Sequence, residues 1–375
     1  MRPGYVLLED GTRFDGDLCG AEPEATGEVV FTTGMAGYQE SVSDPSFAGQ
    51  IITFTYPHIG NYGVSSDAME SDKAHARAVI MRAAVNQEDA PTAERGWLDW
   101  LTDCGIPAIT GVDTRRLVRH IRSAGAMRGG VFSSETSEAQ ARERVAAEPD
   151  MAGQDLARTV TPGFLTHHGQ QNTGPRIAVI DTGIKVSIVR NFVERGARLE
   201  LHPCTVSAEE LLASSPDAVF LANGPGDPAA LDYVVDTVRE VVGKQPIFGI
   251  CLGHQLLCRA IGLDTFKLPF GHRGGNHPVK DLRTGAIEIT SQNHGFAVAA
   301  PDGGLRVETD EPVRWETDSG AAELSHVNLY DRTVEGLTLL DVRGGTVQYH
   351  PEAGPGPNDA LHFFDDFLAD LGALA

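Results

Sequence analysis

After residue 175 the chain alternates short apolar runs with amphipathic stretches, and no other feature constrains its fold so tightly. Arg176-Ile-Ala-Val-Ile180, Ala218-Val-Phe-Leu221 and Pro246-Ile-Phe-Gly-Ile250 are too short for helices. They are also nearly continuous in their hydrophobicity, which suits strands covered on both faces. Between them lie a helical stretch ending at Arg195-Gly196, a capping-box start at Ser207-Ala-Glu-Glu210 and a helix around Tyr233 to Val242. Strands separated by helices pair in parallel through right-handed crossovers. The pattern therefore predicts an α/β fold with a doubly wound, mostly parallel sheet. Open sheets of this kind bind ligands beyond the carboxyl ends of their strands, where Asn223 and Cys251 fall.

The first part of the chain reads differently. Glu28-Val-Val-Phe31 and Gln50-Ile-Ile-Thr-Phe-Thr55 are β-rich runs broken by turns, and a helical pattern runs from Asp113, a plausible N-cap, to Ser123. This predicts an N-terminal mixed α/β domain over residues 1–150. Residues 151–174 are rich in Gly, Pro and Gln, lack a hydrophobic period, and read as a linker. Residues 175–375 form the second domain, and 375 residues are too many for one ordinary core.

Composition narrows the function classes. With 41% hydrophobic and 22% charged residues the chain is globular. Its beginning has no apolar secretory segment, and no uncharged apolar stretch is long enough to span a bilayer. A cytoplasmic location is expected. A formal net charge of −22 disfavours nucleic acid and anionic membranes as partners. The carboxylate excess fits a salt-adapted surface or an ordinary acidic protein. Cys19, Cys104, Cys204, Cys251 and Cys258 are odd in number and include no C-x-x-C pair, so neither a structural zinc site nor a disulfide framework is expected.

The strongest chemical signal is Gly249-Ile-Cys251-Leu-Gly253-His-Gln255. A G-x-nucleophile-x-G segment between a strand and a helix is a nucleophile elbow, and the following helix N-terminus favours a thiolate. A cysteine needs a base. His350 ends the run Gly345-Thr-Val-Gln-Tyr349 and is followed by Pro351-Glu352. Residues two apart on an extended chain face the same way, so Glu352 can orient one imidazole nitrogen while the other meets the thiol. Asn223-Gly-Pro-Gly-Asp-Pro228 offers a tight loop after a strand. There the N–H groups of Gly224 and Leu252 are candidates for an oxyanion hole, each donor worth roughly 3 kcal/mol of barrier.

These three segments, in this order and spacing, resemble the class I glutamine amidotransferase family. The fuller set is similar to the glutaminase small-subunit family of carbamoyl phosphate synthetases. Phe270-Gly-His-Arg-Gly-Gly-Asn-His-Pro-Val279 and Thr290-Ser-Gln-Asn-His-Gly-Phe-Ala-Val298 fit that family, as do Phe31-Thr-Thr-Gly-Met-Ala-Gly-Tyr-Gln-Glu40, Asp44-Pro-Ser46 and Tyr56-Pro-His-Ile-Gly-Asn61. The resemblance implies Cys251 as nucleophile, His350 as acid/base and Glu352 as its partner. It implies L-glutamine contacts from Ser46, Gly224, Gly226, Leu252, Gln255, Asn293, Gly295 and Phe296, with Ser46 reaching the site from the N-terminal domain. It further implies a large synthetase subunit as partner, which uses ATP and Mg, while this chain needs no metal or organic cofactor. No Walker-type loop or dinucleotide fingerprint occurs, in keeping with ATP chemistry elsewhere. The carbamoyl phosphate formed would feed pyrimidine or arginine synthesis. The rival expectations are a glutaminase serving another synthase, a thiol hydrolase or peptidase on a related scaffold, and a regulatory subunit without activity.

Overall fold

The computed structural model describes residues 2–22, 24–317 and 319–372. The chain divides into two compact units. One comprises residues 1–154 with 269–274, and the other residues 155–268 with 275–375.

The first unit is built on a closed barrel. Its strands, in spatial order, are Arg2–Leu8, Arg13–Gly20, Pro107–Thr110, Ala78–Ile80, Gln50–Phe54, Ala25–Thr32 and Met127–Ser133. Closure leaves no exposed edge. Alternate residues of Gln50–Phe54 divide the interior from the outer layer: Ile51 joins the cluster holding Val6, Val29 and Ile109, while Ile52 joins the one holding Trp97 and Val79. The expected helix is present as Thr114–Ala124. Asp113 caps it by accepting from the Arg116 N–H, and Leu117 and Ile121 are buried.

The second unit holds the sheet that the alternation predicts. Arg198–Pro203, Arg176–Asp181, Ala218–Leu221, Ile247–Ile250 and Gly344–Val347 lie side by side and pair in parallel. Its two faces can be read from single strands. Ile177 and Val179 pack with Phe192, Phe364 and Phe367, whereas Ala178 and Ile180 pack with Val235, Val238 and Leu256. The aromatic side is held by edge contacts, with Phe192 and Phe364 5.0 Å apart and Phe248 and Phe367 4.2 Å apart between ring centres. Each such buried ring contributes about 2–3 kcal/mol.

Two features were not visible in the pattern. Beyond Gly344–Val347 the sheet continues antiparallel through Val334–Leu339, Gly320–Asn328 and the end of Thr265–Asp281. Residues 151–174, expected as a linker, contain a short helix, Ala157–Val160, and a strand, Thr166–His168, which pairs antiparallel with Arg198–Pro203. That strand is at the edge of the sheet and held through its backbone, with His167 and His168 exposed. Such a segment needs no hydrophobic period.

Candidate active site

The parallel register of two strands brings the predicted residues together. Ile250 pairs with Val347, so Cys251 and His350 follow the carboxyl ends of neighbouring strands. The Cys251 N–H donates to the Val347 carbonyl at 2.9 Å, and the His350 N–H to the Ser291 carbonyl at 2.9 Å. Both ends are thereby fixed by backbone bonds rather than by side-chain packing alone.

Cys251 carries the strain of the elbow itself, at φ 56° and ψ −105°, a region that side chains rarely adopt. The flanking glycines serve close approach. A Cβ on Gly253 would stand 2.2 Å from the Leu221 carbonyl oxygen, and one on Gly249 would stand 2.9 Å from the Gly253 carbonyl carbon. The glycines of the elbow let the helix Leu252–Ala260 lie against the strand Ala218–Leu221. The Cys251 side chain is 2% exposed, and its Sγ donates to the Asn293 carbonyl at 3.6 Å.

His350 is buried, and its Nδ1 lies 2.6 Å from Glu352 Oε1. Glu352 Oε1 also accepts from Lys185 Nζ at 2.9 Å, and Nζ donates to the Ala353 carbonyl at 2.8 Å. The result is a buried chain of charge, Lys185–Glu352–His350. Burial by itself would raise the Glu352 pKa, but Lys185 and then His350 hold it down at about 2. Burial by itself would lower the His350 pKa, but the Glu352 carboxylate and then Cys251 hold it up at about 10. His350 Nε2 makes no hydrogen bond of ordinary geometry. Cys251 is nonetheless close enough to favour the protonated imidazole.

Lys185 was not singled out by sequence reasoning. The available signal was its place after the carboxyl end of the strand Arg176–Asp181, the same edge that carries Asn223 and Cys251. The turn that delivers it is set by Asp181, whose Oδ1 accepts from the N–H groups of Gly183 and Ile184 at 2.9 Å each. Asn223 Oδ1 then accepts from the Lys185 N–H at 3.1 Å.

The residues predicted to supply the oxyanion donors are packed against each other through the Leu252 side chain. A Cβ on Gly224 would lie 3.0 Å from Leu252 Cδ2 and 2.1 Å from the Thr182 carbonyl oxygen, so only glycine fits there. The Gly224 N–H meets no acceptor among the described residues. Leu252 opens its helix, where the first N–H groups have no intrahelical acceptor. Gln255 Nε2 donates to the Phe296 carbonyl at 2.8 Å and to Gln348 Oε1 at 2.9 Å. Its side-chain carbonyl is therefore the part left to meet a ligand. Asn293, Gly295 and Phe296 share the strand Ile287–Val298. Gly226 lies in the loop after Leu221 with φ +94°. Ser46 belongs to the first unit, where its N–H donates to Asp44 Oδ1 at 2.8 Å within the turn Pro45–Phe47.

A strained cysteine beside a histidine held by a carboxylate defines a site for nucleophilic thiol catalysis. Residues 178–369 match the model of the class-I glutamine amidotransferases, and residues 6–131 match that of the CPSase domain of the carbamoyl-phosphate synthase small chain. The carbamoyl phosphate synthase small chain of Chlorobaculum tepidum is 44% identical over 368 residues, covering 97% of this chain and 96% of that protein. The one from Bacillus caldolyticus is likewise 44% identical over 368 residues, covering 97% and 95%. Among solved structures, a glutamine amidotransferase from Thermotoga maritima aligns with 54% of this chain and 86% of its own at 16% identity, with a TM-score of 0.35. The chain belongs to the carbamoyl phosphate synthase small chain family.

Proposed function

We propose that this chain is the glutaminase subunit of a glutamine-dependent carbamoyl phosphate synthetase. It hydrolyses L-glutamine to glutamate and ammonia, and the ammonia passes to a large subunit that consumes ATP, with Mg, and bicarbonate. The observation that carries this reading is the register placing Cys251 beside His350, whose Nδ1 is held by Glu352.

The Cys251 thiolate attacks the side-chain carboxamide carbon of glutamine, forming the C–S bond. The carbonyl oxygen takes the negative charge and is met by the N–H groups of Gly224 and Leu252. As the intermediate collapses, the C–N bond breaks and the His350 imidazolium gives its proton to the departing nitrogen, which leaves as ammonia. The γ-glutamyl thioester has no thiolate, so one of the charges that held the imidazole protonated is gone. Neutral His350 can then take a proton from water, whose oxygen attacks the thioester carbonyl and releases glutamate and the thiolate. Thiolate and imidazole supply nucleophile, acid and base, so these steps require no metal or organic cofactor. The side chains of Gln255 and Asn293, with the backbone at Gly226, Gly295 and Phe296, are assigned to the amino-acid end of glutamine. No helix among the described residues is long and apolar enough to cross a membrane. All five cysteines are unpaired, which suits the reducing cytoplasm we assign to it.

The test is Cys251→Ser in complex with the large subunit, with glutamine and then ammonium as nitrogen donor. Glutamine-dependent synthesis should be lost and ammonium-dependent synthesis kept. Equal loss with both donors would refute a dedicated ammonia-generating role.

A further inference from the structure

The helix Thr114–Ala124 reads Thr-Arg-Arg-Leu-Val-Arg-His-Ile-Arg-Ser-Ala and contains no acidic residue. Such a segment is unusual in a chain with 52 carboxylates against 30 Lys and Arg. Two of its basic groups are used internally. Arg116 donates to the Arg13 carbonyl at 2.9 Å and lies over the Phe14 ring, and His120 pairs with Asp10 at 2.6 Å. The other three, Arg115, Arg119 and Arg122, fall on one face at spacings of four and three residues, and all are exposed. Together with Thr55, Thr114 and Val118 they line an open groove of about 560 Å³. None of the three has an ion pair or side-chain hydrogen bond among the described residues. Elsewhere on the surface arginines do find carboxylates, as Arg95 does with Asp103 and Arg332 with Asp310.

We propose that this arginine face is a docking surface for a carboxylate-bearing segment of the large synthetase subunit. The inference rests on the functional reading above and deepens it by naming where the partner binds. Three arguments support it. First, the face lies in the unit matched by the small-chain family model, whereas the amidotransferase model matches the other unit. The groove is therefore in the part of the chain that distinguishes it from glutaminases serving other synthases. Second, a net charge of −22 repels an acidic partner over most of the surface, so a positive face with no carboxylate of its own is where such a partner can approach. Third, Arg115 and Arg122 are separated by roughly 10 Å along the helix axis at 1.5 Å per residue. That span exceeds a single phosphate and suits successive carboxylates, each taken by a planar guanidinium fork.

The experiment measures the affinity of the full-length chain for its large subunit at low and high salt, comparing wild type with R115E/R119E/R122E and with R119E alone. The triple reversal should weaken binding at least tenfold at low salt, and the single reversal severalfold. Both differences should shrink as salt screens the contact. Glutamine hydrolysis by the isolated triple variant should match wild type, which establishes that it is folded. Unchanged affinity in the folded triple variant overturns the proposal. So does inorganic triphosphate binding that wild type shows and the variant loses while subunit affinity stays equal, since the groove is then a small-anion site. A wild-type chain that fails to bind the large subunit at all overturns the functional reading, and the docking surface with it.

Discussion

The buried chain Lys185–Glu352–His350 makes a quantitative prediction about coupling. Lys185 Nζ and Glu352 Oε1 are 2.9 Å apart, with side-chain exposures of 2% and 0%. Removing one partner of such a pair leaves an uncompensated charge in the interior and costs about 3–5 kcal/mol. Lys185→Met does this to Glu352, which keeps His350 as a cationic neighbour. Glu352→Gln does it to Lys185 and also withdraws the carboxylate that keeps His350 protonated. The double variant Lys185→Met/Glu352→Gln removes both charges of the pair together, leaving neither buried without its partner. Its loss should be no greater than that of either single variant, so the coupling energy is about 3–5 kcal/mol.

Amide hydrogen exchange in the strand Gly344–Val347 is the suitable readout, because it reports opening of the second unit whatever the first unit does. Each single variant should speed exchange by roughly two to four orders of magnitude, and the double variant by no more than either. Losses that add, with the double variant exchanging as fast as the product of the two singles, would refute the idea of a coupled buried pair. Lys185 would then be an independent packing element.

Two further predictions concern the same site. Gly253→Ala places a Cβ 2.2 Å from the Leu221 carbonyl oxygen, a backbone atom with little freedom to move. It should cost at least about 2 kcal/mol by strain and abolish glutamine hydrolysis, checked by thermal unfolding and by ammonia release. The pH dependence has a definite sign. His350, raised from 6.5 to about 10, stabilises the fold fully below pH 6.5 and loses that contribution as pH rises through 10. Glu352, lowered from 4.5 to about 2, stabilises fully above pH 4.5 and loses its share as pH falls through 2. Exchange protection of Gly344–Val347 should therefore be greatest between pH 4.5 and 6.5, after correction for intrinsic rates, and should flatten at the alkaline end in His350→Gln.

What the sequence revealed follows from how each contact is made. The parallel strands were legible because strands buried on both faces must be apolar throughout, as Ile177–Ile180 and Ala218–Leu221 are. Cys251, His350 and Glu352 were legible because each lies in a short local pattern: glycines two positions either side of the thiol, where helix and strand approach closely, and Pro351 between the histidine and the carboxylate. Lys185 was not, because its role depends on Glu352, 167 residues away, and no local pattern encodes that meeting. The edge strand Thr166–His168 was hidden for a different reason, since it contributes backbone and no core. The barrel of the first unit was only coarsely legible: strand runs were visible, but closure depends on the pairing of Ala25–Thr32 and Arg2–Leu8 with Met127–Ser133, a long-range choice.

The choice of lysine at position 185 can itself be argued from the geometry. Five of the 30 basic residues are lysines, and the surface ion pairs are made mainly by arginine. Lys185 is nonetheless among the largest fully buried side chains. An ammonium has three donors, and here two named acceptors, Glu352 Oε1 and the Ala353 carbonyl, stand within 2.9 Å of Nζ. A guanidinium would bring five N–H groups in a rigid plane into the same space, each needing an acceptor away from water. It would also spread its charge over three nitrogens, weakening the field at the one carboxylate oxygen that His350 Nδ1 also meets. A compact point charge at the back of Glu352 keeps that carboxylate ionised while leaving it in position for the imidazole. The surface can be rich in arginine because solvent satisfies surplus donors there, whereas the interior of this site favours a cation with few of them.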